Sequence, residues 1–285
     1  MFCSTRFQLF FVTGIALWLS PAPSGAHGSF HDRLEGLNRQ IEASPSDPEL
    51  LIGRSALYLS HGLWQRALAD VDQAATFDPT QPDLDLQRGL IWLQAGDPGR
   101  AQVGLARFLV SNPSHTGARL ARARALARQE RWVEAADEYA HAIRHQSQPV
   151  PETYLERSRA LGRAEPSNPD ASLRCLDQGI AALGSAPVLE AEALALEIRA
   201  GRFDAALQRL EGLVSRSPRR ETWLARRGDI LGQAGRSQEA LAAYGEARRE
   251  IEGLAAHRRQ TDAVRELETR VHDAVARLER AGDRP

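Results

Sequence analysis

The sequence predicts an all-α solenoid, a row of helical hairpins closed at each end by a single helix. Three observations predict it. The apolar residues are mostly Ala and Leu, and the aromatic share is only 6%. Those are strong helix formers, while strand-favouring residues are scarce. A pattern of glycine, alanine five residues on and a large residue four beyond recurs along the chain. Its alanines at Ala67, Ala101 and Ala135 lie 34 apart, as do Pro45, Pro79 and Pro113. Self-similarity at a period of this size marks stacked repeats.

Bulk properties narrow the function classes. The chain has 285 residues, 42% hydrophobic and 26% charged, with a net charge of −1. That balance suits a packed globular array and argues against a general nucleic-acid binder. All 36 basic residues are arginine, whose planar fork grips carboxylates in a way lysine does not.

Residues 1–26 read as a cleavable export signal. Arg6 supplies a positive start, and the apolar stretch from Phe7 to Leu19 is too short to cross a bilayer as an ordinary helix. Pro21 and Pro23 break it, and Ser24, Gly25 and Ala26 are the small residues a signal peptidase needs. Cleavage after Ala26 leaves a periplasmic or secreted chain beginning at His27, with no stable membrane span; a retained anchor is the alternative. Cys3 lies inside the signal, so Cys175 alone remains and no internal disulfide forms.

Residues 27–47 form an N-terminal capping half-repeat, because Phe30, Leu34, Leu37 and Ile41 make an apolar stripe at helical spacing before Pro45. Residues 48–252 hold six hairpin units. Gly62, Gly96, Gly201 and Gly235 end the first helix of a unit in a left-handed turn. Small residues at Ser55, Gly89, Ala123, Ser158 and Gly228 let the second helix come close, and the alanines do so from the other side. Tyr58, Trp92, Leu126, Leu161 and Leu231 fill the space between helices. Val71, Leu105, Tyr139, Leu176, Leu210 and Tyr244 pack toward the next unit. Between Ala135 and Ala206 the period gains 3 residues, assigned to the turn 165–169, with Ser172 in the alanine's place. Glu130 stands where unit three lacks its glycine, and Leu194 where unit five lacks a small residue. Units three to five are therefore expected to join more loosely or at other angles.

This pattern resembles the tetratricopeptide repeat across all six units. The resemblance implies a right-handed helical-hairpin solenoid whose first helices line a concave groove, and a protein-binding role. Exported bacterial members of the family commonly serve envelope assembly, secretion or polymer export. The resemblance does not extend to the chaperone-binding members. Their carboxylate clamp needs asparagine where this chain has Ala56, Leu90, Arg124, Arg159, Ala195 and Asp229.

Residues 253–285 resume as a C-terminal capping helix and tail. Val264, Leu267, Val271, Ala274 and Leu278 form a short seam. A stable coiled coil needs about three or four heptads, so a cap on unit six is preferred to a homodimer through this helix.

No nucleotide-binding, hydrolase or zinc-protease motif occurs, so a non-enzymatic chain without a cofactor is expected. The expected function is an adaptor holding an extended protein or peptide segment in the groove. Its apolar half comprises Ile52, Leu59, Leu86, Leu90 and Leu93. Its cationic half comprises Arg124, Arg128, Arg159, Arg163, Arg199 and Arg226, suited to a partner with an acidic segment. The competing use of those arginines is pairing with Glu152, Glu156, Glu192 and Asp229 of neighbouring units. The alternative function is a metal-handling or enzymatic accessory using His27 and His31, or His141 and His145, which are four apart on one helix.

Overall fold

The computed structural model describes residues 30–184 and 186–282, and every element in them is helical. The expected signal, its cleavage site and His27 lie outside the described residues. Helix α1 (Phe30–Ala43) stands alone. Six hairpins follow: α2 (Pro48–Ser60) with α3 (Trp64–Phe77), α4 (Asp83–Gln94) with α5 (Pro98–Ser111), and α6 (Thr116–Arg128) with α7 (Trp132–His145). Then come α8 (Pro151–Ala164) with α9 (Asp170–Leu183), α10 (Pro187–Arg199) with α11 (Phe203–Arg216), and α12 (Arg220–Gln233) with α13 (Ser237–Glu252). A short α14 (Ala256–Arg259) leads to α15 (Asp262–Gly282). Each helix from α1 to α12 packs on the next, and first helices also meet first helices at α2–α4, α4–α6 and α8–α10.

Local chemistry sets the boundaries. Asp47 starts α2 by accepting hydrogen bonds from the Glu49 and Leu50 amides at 2.9 and 3.4 Å, with Pro48 at the first helical position. Asp97 and Pro98 repeat the device on α5. The turns inside five hairpins close alike. Gly62 has φ +77°, its amide bonds to the Leu59 carbonyl, and the Leu63 amide reaches back to Tyr58 at 3.0 Å. That pair of bonds is the Schellman closure, which needs a left-handed residue. Gly96, Gly201 and Gly235 supply the others, and Glu130 adopts φ 59° in unit three. The missing glycine there changes the strain rather than the turn. Glu130→Gly is expected to raise stability by about 1 kcal/mol, read as a higher urea midpoint; an unchanged or lower midpoint contradicts it.

Close approach is paid for with small side chains. Ser55, Ala67, Ala101, Ala135, Ala206 and Ala240 are completely buried. A Cβ on Gly89 would fall 2.5 Å from Leu105 Cγ, and one on Gly228 would fall 2.5 Å from the Tyr244 ring. In unit four two serines serve instead. The Ser158 hydroxyl donates to the Ser172 carbonyl at 3.2 Å, and Ser172 returns a bond to the Ser158 carbonyl at 2.9 Å. Leu194, the large residue in unit five, is buried with Ala206 and Leu210. There α10 and α11 approach less closely than the helices of any other hairpin.

The extra residues divide differently from the expectation. Ser158 to Ser172 is 14 residues where Ala123 to Ala135 is 12, so 2 of the 3 lengthen the turn after α8. The third falls before α8, between Ala135 and Ser158. The five-residue turn 165–169 contains no left-handed residue and closes through the Asn168 amide on the Glu165 carbonyl at 3.1 Å.

Both ends are capped. Leu34, Leu37 and Ile41 are half-buried, and Arg54 ties α1 to unit one by donating to Asn38 at 2.9 Å and to Asp70 at 2.7 and 2.8 Å. At the other end Val264, Leu267, Val271 and Ala274 are buried with Tyr244 and Ile251. The seam is therefore used within the chain, where α15 occupies the place of a seventh first helix against α12 and α13.

Candidate partner-binding face

The first helices α2, α4, α6, α8, α10 and α12 form one side of the array. Its apolar part is shallower than the sequence suggests. Ile52 does not belong to a binding surface, since only 8% of it is exposed and it joins the core with Leu51, Ala67 and Val71. The same cluster takes Ile41 from α1, a neighbour that the helical pattern of α2 alone does not reveal. Leu59 is half-buried against that cluster, and Leu86, Leu90 and Leu93 are half-buried against Phe108 and Leu109 of unit two.

The six arginines do not act as one stripe. Arg124 is committed to Glu156, its Nε donating to both carboxylate oxygens at 3.0 and 3.2 Å. This pair bridges α6 and α8, which approach each other less closely than α4 and α6 do. Arg128 donates to the Leu93 carbonyl at the end of α4. Arg199 meets Glu192 at 3.1 Å in an exposed pair, which contributes little. Asp229 instead accepts from the Tyr244 hydroxyl at 2.8 Å. Arg226 faces α15 across a recess of about 350 Å³ shared with Asp229, Tyr244 and Arg277. Arg159 and Arg163, one turn apart on α8, have no hydrogen-bond or ion-pair partner among the described residues.

Those two arginines line a cavity of about 590 Å³ between α8 and α10. Arg199 and Glu192 face it from α10, and Pro166, Ser167 and Pro169 of the lengthened turn wall one side. Arg202, a lining residue the sequence reading passed over, is held by Asp170 of α9. The signal for this site was the break in period, since the insertion that disturbs the repeat also builds the wall. Unit four also departs from the others in how its helices are paired. Where units one and three place Asp70 opposite Arg54 and Glu138 opposite Arg122, unit four places Cys175 near Arg157. Burial pushes the Cys175 thiol above its ordinary range, which disfavours the reactive thiolate.

The histidines offer less. His141 and His145 stack with ring centroids 6.5 Å apart, and His145 Nδ1 bonds to the His141 carbonyl at 2.9 Å. Burial holds the His141 imidazole below its usual range. The described residues bring no group of three metal-ligating side chains together. His31 contacts Glu35 at 3.0 Å.

The family model for the tetratricopeptide repeat matches residues 86–149 and 191–255, spanning unit two to unit three and unit five to unit six. Those two stretches match the tetratricopeptide repeat. Among solved structures, a tetratricopeptide repeat protein from Parabacteroides merdae is similar at 17% identity, with 85% of this chain and 92% of that one covered and a TM-score of 0.51. A structure of Naa15/Naa10 bound to HypK is similar at 13% identity, covering 86% of this chain and 37% of that one, with a TM-score of 0.50. At these identities the likeness concerns the fold. Compared with curated proteins, the sequence has no significant match. Tetratricopeptide solenoids are scaffolds for protein–protein interaction, because stacking repeats with small rotations creates an extended binding surface.

Proposed function

We propose that this chain is an exported adaptor that cradles an extended, partly acidic segment of a partner protein along its first helices. The cavity between α8 and α10 carries the proposal, because two unpaired arginines face an open volume there. Arg54, Arg122 and Arg209, by contrast, are each engaged by a carboxylate. Half-buried Leu86, Leu90 and Leu93 supply apolar contact on the N-terminal side. The chemistry is binding rather than catalysis, and the reading uses no cofactor. Export rests on the apolar stretch 7–19 and the small residues before His27.

The test is affinity capture of the mature chain from envelope extract, repeated with Arg159→Gln/Arg163→Gln and with Leu90→Asp. Both variants should lose the partner that wild type retains, with helical content unchanged. Wild-type retention should fall with salt, since exposed charges are screened over about 8–10 Å at physiological ionic strength. Retention by both variants overturns the reading. For export, residues 1–30 fused to a reporter active only outside the cytoplasm should deliver it, and an inactive fusion contradicts that part.

A further inference from the structure

We infer that the cavity between α8 and α10 selects an acid-x-acid pattern, two carboxylates separated by one residue in an extended segment. The inference rests on the adaptor reading and specifies the chemistry of one subsite. Arg159 and Arg163 lie four apart on α8, which places their bases about 5–6 Å apart on one face. Neither is neutralised within the described residues. The rest of the lining makes no hydrogen bond or ion pair with them among the described residues. Glu192, the one carboxylate in the lining, contacts Arg199 at 3.1 Å, and the lining residue Arg202 is held from outside by Asp170. Ser158 and Ser172, which also line the cavity, spend their hydroxyls on each other's carbonyls. The cavity thus presents two forks of donors that no carboxylate among the described residues fills.

An extended chain answers this geometry in one way. Successive side chains point to opposite faces, while residues two apart share a face at about 6.6 Å. Adjacent acids would send one carboxylate into the cavity and the other away from it. Acids at i and i+2 send both in, at a spacing matching the arginine pair. Each fork then meets its own carboxylate in a charge-assisted contact. The occupant is a side-chain pair inside a segment, and a chain terminus is the competing source that the capped peptides below separate from it.

The experiment uses the mature chain and short fluorescent peptides, acetylated and amidated so that no terminal carboxylate exists. One peptide carries Glu-Gln-Glu in a neutral background, and the other carries Gln-Glu-Glu with the same composition. Fluorescence anisotropy at low salt should show the spaced peptide binding roughly fivefold tighter. The preference should vanish in Arg159→Gln and in Arg163→Gln, each variant binding both peptides equally. Equal affinities for wild type, a preference that survives either variant, or binding that appears only with a free C-terminal carboxylate overturns the inference. So does a wild-type chain that binds neither peptide. None of these outcomes touches the adaptor reading if envelope capture still retains a partner on wild type and loses it on Leu90→Asp. Failure of capture itself sinks that reading separately.

Discussion

Replacing Arg209 by methionine is expected to destabilise unit five by about 3–5 kcal/mol. Arg209 on α11 grips Glu197 of α10 in a fork, Nε to Oε2 at 3.0 Å and Nη2 to Oε1 at 2.8 Å. Its remaining nitrogen reaches Asp177 on α9 at 2.9 Å, so one side chain binds three helices. Glu197 is 5% exposed. Its hydrogen bonds raise the Arg209 guanidinium further above its ordinary pKa, so the ion persists at any working pH. A buried pair of this kind adds little net stability, because its attraction mainly offsets desolvation. Removing one partner is costly, since the other charge stays buried without compensation. The loss falls on the hairpin whose helices already stand farthest apart around Leu194. Repeat arrays need not unfold in one step, so hydrogen exchange along α10 and α11 reads it best. The companion change Arg209→Met/Glu197→Leu should restore most of the loss. A single variant within about 1 kcal/mol of wild type would show that Glu197 finds another partner or water.

Gly104→Leu is the second large effect, on the order of 3 kcal/mol from overpacking. A Cβ at this position would lie 2.9 Å from the Asp85 carbonyl oxygen and 3.3 Å from the Gly89 amide nitrogen. Both obstacles are backbone, so no rotamer change relieves the contact and α4 must move away from α5. The two glycines face each other across the hairpin, which is how unit two achieves its close approach. Gly36 on α1 provides the control. Nothing lies within 4 Å of its added Cβ, so Gly36→Ala should gain about 1 kcal/mol from helix propensity alone. Equal unfolding midpoints for Gly104→Leu and wild type would mean that the hairpin is looser than described.

The binding face was legible only in part. Arg159 and Arg163 could be placed one turn apart from spacing alone, and the period break at unit four was visible. Their freedom was not, because pairing depends on which carboxylate another helix brings within reach. Glu156 reached Arg124 and Glu192 reached Arg199, while Asp229 went to Tyr244. Ile52 was misplaced for a similar reason. On α2 alone it lies beside Ala56 and Leu59, whereas in the fold it joins a cluster with Ala67, Val71 and Leu84 of the next two helices.

Along the chain, the sequence by itself determined the architecture. Proline and aspartate start helices, glycine closes four of the six hairpin turns, and small residues recur where backbones must meet. These are local rules, and their recurrence along the chain makes them readable. Glu130 shows their limit, since the turn geometry held although its preferred residue was absent. Tertiary structure decided everything that depends on long side chains crossing between helices. An arginine reaches far enough to choose among several carboxylates on neighbouring helices, and the choice follows from helix separations that no periodicity encodes. The cavity beside Arg159 and Arg163 arose the same way, from two added residues in one turn and from acids already taken by other arginines.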